Sequence, residues 1–450
     1  MTVQHKQKLT LFALTWPLFI ELFLHMLMGN ADTLMLSLYS DNSVAAVGVS
    51  NQILSLVVVM FGFIATGTAI LVAQNLGAKN PLAASEISVI SLVANFAFGL
   101  VLSIFVFFTS RNLLQIMDLP HELMDEADSY LRLVGGFSFV QALIMTIGAI
   151  LRSYGFTKDA MYVTIGMNLL NIIGNYLFIF GPFGIPVLGV QGVAISTTIS
   201  KILGFIVIMI LLMKRIPQKL EFLKVFKMPY IHLKNLLTIG IPSAGEQLSY
   251  NASQMAITYF ITMMGTEALT TRVYVTNLMM FIYLFAIAIG QGSQILIGHY
   301  MGAKQYELAY TRGLKSLRLG ILVSFLCAVV FASFSKPLLS IFTTNQEILA
   351  AGCLLLWMTI ILEPGRAFNI VIINSLRATG DVKFPVIVGI LSMWGVSVTL
   401  SYILGIHFGW GLVGVWIAFT VDEWLRGILM LKRWRSKVWM RKSFVYTHQE

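Results

Sequence analysis

A constant offset of 225 residues relates the first half of this 450-residue chain to its second. Pro17 and Glu21 answer Pro242 and Glu246, and Gly67 answers Gly292. Gly77-Ala78-Lys79 recurs as Gly302-Ala303-Lys304, and Leu113-Leu114 as Leu338-Leu339. Leu151-Arg152 with Gly155 recurs as Leu376-Arg377 with Gly380. After the fifth apolar segment of each half the offset drops to 222, so that Gly192-Val193 pairs with Gly414-Val415. Solenoid repeats run about 20–50 residues, so a period this long implies two equivalent lobes.

The lobes are built for lipid. Hydrophobic residues make up 57% of the chain and charged residues 11%, against about 25% charged in soluble domains, and mean hydropathy is +0.83. Apolar stretches long enough to cross a hydrocarbon core of about 30 Å fall near 10–39, 44–74, 85–110, 124–150, 160–180 and 187–213. They recur near 236–264, 269–299, 308–334, 346–374, 384–406 and 411–431. The expected fold is an all-α membrane protein of twelve spans, arranged as two parallel six-helix lobes. Six is even, so both halves enter the membrane in one orientation, a plan found among secondary transporters. The expected domains are an N-lobe over 1–213, a basic linker over 214–234, a C-lobe over 235–431 and a tail over 432–450.

Charge placement orients these spans. Of the 30 Lys and Arg, only Arg111, Arg272 and Lys336 fall on one side, and Arg132, Lys201, Arg366 and Arg426 fall within spans. The rest flank the other side, which the positive-inside rule makes cytoplasmic, with both termini there. The net charge of +10 is then a lipid and topology signal, and no nucleic-acid partner is expected. The linker, with Lys214, Arg215, Lys219, Lys224, Lys227 and Lys234, reads as a basic segment against anionic lipid. The first apolar run carries Glu21 and Asp32 and has no small-residue cleavage site, so it is kept as the first span. Cys327 and Cys353 lie inside spans and predict no disulfide framework. No phosphate-binding loop, metal-spaced His/Cys cluster or nucleophile elbow is present, so neither an enzyme nor an ATP-driven pump is expected, and no cofactor.

Ionisable residues within spans are costly and mark function by default. Asp32, in Gly29-Asn30-Ala31-Asp32-Thr33, stands near the middle of the first span, and its repeat counterpart is Ile257. It is the first candidate for a cation or proton site, with sodium as a possible metal. Its structural alternative is hydrogen bonding to Asn171 or Asn175. Asn168, Asn171 and Asn175 share one face of the fifth span by their i, i+3, i+7 spacing.

Glu246 heads a polar stripe of Gln247, Tyr250, Asn251, Gln254 and Thr258. It is the second coupling candidate, or else a structural partner of Lys201 or another basic group. Glu21, followed mainly by apolar residues, reads as structural. Glu363 and Arg366, three apart around Pro364-Gly365, read as a self-neutralising pair or hinge clamp, and Asp422 with Arg426 as a similar pair. Arg132 is expected to snorkel to the interface. Asn171, Asn175, Tyr250, Gln254, Gln291, Met28 and Met280 are the expected cavity residues, the methionines supplying soft, adaptable surface. Pro17 and Pro242 are expected at hinges.

The parallel duplication, Pro17 followed by Asp32, the two Gly-Ala-Lys loops, Asn171-Ile-Ile-Gly-Asn175, the Leu-Arg turns ending at Gly155 and Gly380, and Pro242-Ser-Ala-Gly-Glu246-Gln247 together resemble the multidrug and toxic compound extrusion (MATE) family. The resemblance covers nearly the whole chain. It implies the MOP-superfamily fold and export of amphipathic organic cations in exchange for protons or sodium; a monomer is the expected state. It places the coupling acid at Asp32 and the polar pair at Asn171 and Asn175. Three positions depart from it. Asn175 stands where one branch has a carboxylate. Tyr250 and Arg366 stand where another has acids. A flippase for a lipid or lipid-linked substrate is the alternative, since such proteins share this architecture.

Overall fold

The structure is a computed structural model and describes residues 9–445, so the ends of the expected N-lobe and tail lie outside the described residues. The first half runs α1 (Leu11–Ser37), α2 (Asp41–Gly77), α3 (Pro81–Ile116), α4 (His121–Gly136), α5 (Ser138–Ser153), α6 (Thr157–Phe180) and α7 (Gly189–Arg215). The second runs α8 (Tyr230–Thr262), α9 (Thr266–Gly302), α10 (Tyr306–Ser333), the short α11 (Ser335–Ser340) and α12 (Gln346–Thr379). It closes with α13 (Lys383–Ser392), continued by π-helical turns at Met393–Val398 and Ser401–His407, and α14 (Gly411–Arg435). Taking α4–α5 as one span bent by 42° gives ten helical spans apolar enough for a membrane among the described residues. α8 and α14 are long enough as well but more polar, through the Glu246–Gln254 stripe in α8 and Asp422, Glu423 and Arg426 in α14. The described helices therefore supply six spans per half.

The repeated motifs are where the chain turns. Lys79 and Lys304 end the two Gly-Ala-Lys runs in the left-handed region, at φ 57° and 59°, and Gly155 and Gly380 do the same after the Leu-Arg turns at 90° and 97°. Asn80 then caps α3 by accepting from the Ala83 amide at 3.1 Å, with Pro81 opening the helix. Such positions are dictated by backbone geometry, which is why they persist in both copies.

The chain forms two compact units. One contains Ile20–Leu76 and Asn80–Gly240; the other contains Leu9–Phe19, Gly77–Lys79 and residues 241–445. The first turns of α1 belong to the second unit, and the linker and the first turns of α8 to the first. The reason is packing at two repeat-related glycines. In the first unit Gly67 lies against Leu236 and Ile239; in the second, Gly292 lies against Leu11, Leu14 and Thr15. A Cβ would come within 3 Å of Leu236 at Gly67 and of Thr15 at Gly292, so the missing side chain is what admits the helix. Pro17 and Pro242 sit beside the points where α1 and α8 change unit. The first unit's core joins Phe61, Val106, Leu131 and Val193, and the second's joins Ile297, Ile372, Trp434 and Trp439.

Candidate functional site

In the first unit α6 turns its three amides toward α1. Asn168 donates to the Leu24 carbonyl at 3.2 Å, and Asn175 Nδ2 donates to Asp32 Oδ1 at 2.6 Å. Asn171, oriented so that its oxygen accepts from the Thr197 amide and hydroxyl at 3.2 and 3.0 Å, donates to Asp32 Oδ1 at 3.0 Å. The shared face read from the 168, 171, 175 spacing thus brings Asn171 and Asn175 to Asp32. α1 ends at Ser37, so Asp32 lies in its C-terminal third and not at its middle. Both amides address one carboxylate oxygen. Among the described residues Oδ2 accepts no hydrogen bond, and the buried Oδ1 of Asn175 is a second acceptor with no donor. Lys201, half-buried on α7, places its positive charge within electrostatic reach of Asp32 without an ion pair.

Glu21 and Glu246 hold equivalent places in their units. Arg152 Nη1 bonds both carboxylate oxygens of Glu21, at 3.0 and 3.1 Å. Arg377, the repeat counterpart of Arg152, pairs with Glu246. The base beside Glu246 is therefore Arg377 and not Lys201, which belongs to the other unit. Its charge is already matched, so the geometry favours a structural role for Glu246 like that of Glu21. Further along α8, Arg272 donates to Thr258 and, at 3.1 Å, to Gln254. Arg272 lies within α9 and turns back onto the polar stripe. Tyr250 and Met280 are exposed, while Gln291 and Met28 are half-buried.

The second unit also holds a charge cluster at the middle of two helices. Glu363 Oε1 accepts from Arg366 at 2.7 Å, and Asp422 Oδ2 from Arg426 at 2.7 Å, the pairs expected from spacing. Glu423 joins them: its Oε1 is 3.2 Å from Arg426 and 3.7 Å from Arg366, and its Oε2 accepts from Asn369 at 2.8 Å. Glu423 is absent from the sequence argument, although two consecutive acids before a single arginine in one span were a usable signal. Arg132 bonds Asp128 and Ser110 at 3.1 Å as well as reaching outward. No group of three or more His, Cys, Asp or Glu suited to a metal ion occurs among the described residues.

The MatE family model matches the chain twice, over 17–177 and 242–403, one match per half. The chain belongs to the MATE family. YisQ of Bacillus subtilis, an uncharacterized transporter, is 58% identical over 434 residues, covering 96% of this chain and 95% of its own length. The probable multidrug resistance protein NorM of Thermotoga maritima is 27% identical over 436 residues, covering 96% and 93%. Among solved structures, an outward-facing multidrug resistance MATE transporter of the MOP superfamily superposes with a TM-score of 0.88 at 21% identity, covering 96% of both chains. A MATE protein crystallised in a bent conformation gives 0.88 at 20% identity over 95% and 94%. The fold is therefore that of the MATE and MOP transporters, and this MATE protein is a membrane transporter and not an enzyme.

Proposed function

We propose that this MATE protein exports amphipathic, mostly cationic organic compounds in exchange for an inward cation, a proton or a sodium ion, bound at Asp32. The carrying observation is the unfinished coordination at Asp32: two amides fix one oxygen of a membrane carboxylate, while among the described residues nothing donates to Oδ2 or to the neighbouring Asn175 Oδ1. Ion and substrate exclude or require one another only if their affinities differ between the two facing states. Moving one positive charge out against 100 mV costs about 2.3 kcal/mol, and one cation entering returns the same. A one-for-one exchange then runs on the ion's chemical gradient, about 1.4 kcal/mol per pH unit for protons. The parallel duplication supports rocking of two units as the access change.

The charge bias of the loops supports a plasma-membrane protein with both termini in the cytoplasm. In the linker Leu223 and Phe226 are 99% and 97% exposed beside Lys219, Lys224 and Lys227, a pattern suited to an anionic lipid surface. A lipid-linked-substrate flippase would be expected to present free intramembrane cations. Of the four cations expected within spans, Arg132, Arg366 and Arg426 are instead bonded to carboxylates, and Lys201, which makes no ion pair, lies in the field of Asp32; the balance favours the antiporter. The test is efflux of a fluorescent organic cation from proteoliposomes under an imposed pH or sodium gradient. Flux driven by one gradient and lost in Asp32→Asn supports the reading and identifies the ion. Equal flux in that variant overturns it.

A further inference from the structure

The first half of α10 carries Arg312, Lys315 and Arg318 at i, i+3 and i+6, neighbours on the helix surface that rise by about 4.5 Å a step. The opposite face of α10 is the packed one. A Cβ at Gly313 would meet Trp434 at 2.5 Å and one at Gly320 would meet Val371 at 3.0 Å, and Ser316 and Leu317 are buried between them. Lys315 and Arg318 are exposed on the outer face, and Arg312 is half-buried at its edge. Their depth follows from the sequence beyond them. Residues 319–335, between Arg318 and Lys336, carry no charge and span about 25 Å as helix, against a hydrocarbon core of about 30 Å. Arg318 therefore stands at the edge of the hydrocarbon. Lys315 and Arg312 lie in the headgroup layer beyond it, on the side that the charge bias of the loops makes cytoplasmic.

Nothing among the described residues answers these charges. None of the three makes an ion pair or a side-chain hydrogen bond there, and the enclosed Nε of Arg312 has no acceptor. The described carboxylates on that side of the second unit are already paired, Glu246 with Arg377, Glu307 with Lys437, and Asp381 with Arg433 and Lys442. The first unit shows that the scaffold itself needs no charge here. At the 225-residue offset the three positions are Ile87, Ile90 and Val93, and Ile87 and Ile90 are buried. The same face of the repeated helix is thus closed by protein in one unit and exposed, with cations, in the other. Deeper along that outer face Leu319, Leu322 and Leu326 are exposed in turn. Cations at the headgroup level above an apolar track match the two ends of a phospholipid.

We infer that Lys315 and Arg318 form a binding site for the headgroup of an anionic phospholipid on the outer face of α10, with its acyl chains along Leu319, Leu322 and Leu326. The phosphate oxygens accept from the Lys315 ammonium and from the Arg318 guanidinium, whose planar fork suits a phosphate. Arg312 adds its field from the edge of the row. A zwitterionic headgroup brings its own ammonium into that field and is disfavoured, whereas an anionic lipid with a neutral headgroup alcohol is not. Each cation contributes about fivefold to affinity at such a surface. The lipid covers a charged face of the second unit whose counterpart in the first is apolar and covered already.

The test is native mass spectrometry of delipidated full-length protein in detergent, titrated with phosphatidylglycerol and, separately, with phosphatidylethanolamine of the same acyl chains. The expected result is tighter binding of phosphatidylglycerol, weakened about fivefold in Lys315→Gln and in Arg318→Gln and further in the double variant. Lys383→Gln combined with Arg435→Gln removes the same charge from other exposed positions of the second unit, and there binding should match wild type. If thermal unfolding shows the Lys315 and Arg318 double variant to be misfolded, the two single variants carry the test. Undiminished phosphatidylglycerol binding in the folded variants, or no preference between the two lipids, overturns the inference. So does an equal loss on substituting Lys383 and Arg435, which would make the effect one of bulk charge. Displacement of the lipid by inorganic phosphate at matching concentration also overturns it, by making the site one for a free anion. None of these measurements depends on transport, so failure of the Asp32 reading is scored separately.

Discussion

Replacing Glu21 by glutamine strands Arg152 in a site where only 17% of its side chain reaches solvent. In wild type one guanidinium nitrogen bonds both Glu21 oxygens. Hydrogen bonds to charged groups contribute about 1.5–3 kcal/mol, and breaking a fully buried pair from one side costs about 3–5 kcal/mol. The residual exposure lowers that to roughly 2–3 kcal/mol here. For units of about 200 residues each kcal/mol moves the melting temperature by about 2–4 °C, so Glu21→Gln should lower it by roughly 5–10 °C. Removing Arg152 as well eliminates the stranded charge, so the double variant should be less destabilised than the sum of the singles, with a coupling of about 1.5–3 kcal/mol. Glu246 and Arg377, 12% and 17% exposed in the same arrangement, should give a cycle of the same sign and size. Thermal unfolding of the seven proteins in detergent, followed by intrinsic tryptophan fluorescence, measures both cycles. Strict additivity in either half would show that the pair does not act as a unit, and the repeat-based argument would fail.

Asp32→Asn should abolish gradient-driven efflux while leaving the melting temperature within a few degrees of wild type, read from proteoliposome flux and thermal unfolding side by side. Gly380→Ala should destabilise by more than about 2 kcal/mol, because φ is +97° and the new Cβ would lie 2.0 Å from the Lys442 carbonyl oxygen; melting of the variant checks it. Truncation after Arg435 should lower the melting temperature by several degrees. It removes the fully buried Trp439, stacked at 4.3 Å on Trp434, and the Lys442 ammonium 2.9 Å from the enclosed Asp381. Arg433 alone would then face that carboxylate.

Much of this fold was legible because the duplication preserves turn-forming residues whose backbone role is local. Lys79 and Lys304, or Gly155 and Gly380, show at a glance where chains reverse. The amide face of α6 was legible for the same reason, since helical periodicity is a local property. The ion pairs were harder: Glu21 meets Arg152, and Glu246 meets Arg377, across 131 residues. The separation is nevertheless identical in both halves. An acid and a base that each recur at one offset are candidates for each other, and that signal was available. The exchange of first turns between units was not, because it depends on the space left at Gly67 and Gly292.

The two halves share a scaffold but not its charges. Asp32 answers Ile257, and by the 222-residue offset Lys201 answers Glu423. Where the first unit sets an acid on its first helix within the field of a lysine on its last, the second has an apolar residue on its first helix and an acid on its last. Glu363 stands where the first unit has Ser138, which hydrogen-bonds Ser103 at 2.9 Å. Substituting charge at symmetric positions changes the ion chemistry of each unit without altering the backbone that must move. The two units then differ in how they hold their buried acids: Asp32 is fixed through one oxygen by two neutral amides, whereas Glu363, Asp422 and Glu423 face the guanidiniums of Arg366 and Arg426. Efflux in Asp32→Asn and Glu363→Gln separates the two roles. Loss of efflux from a stable Asp32→Asn protein, with lowered thermal stability in Glu363→Gln, fits this division, whereas efflux lost from a fully stable Glu363→Gln protein would overturn it.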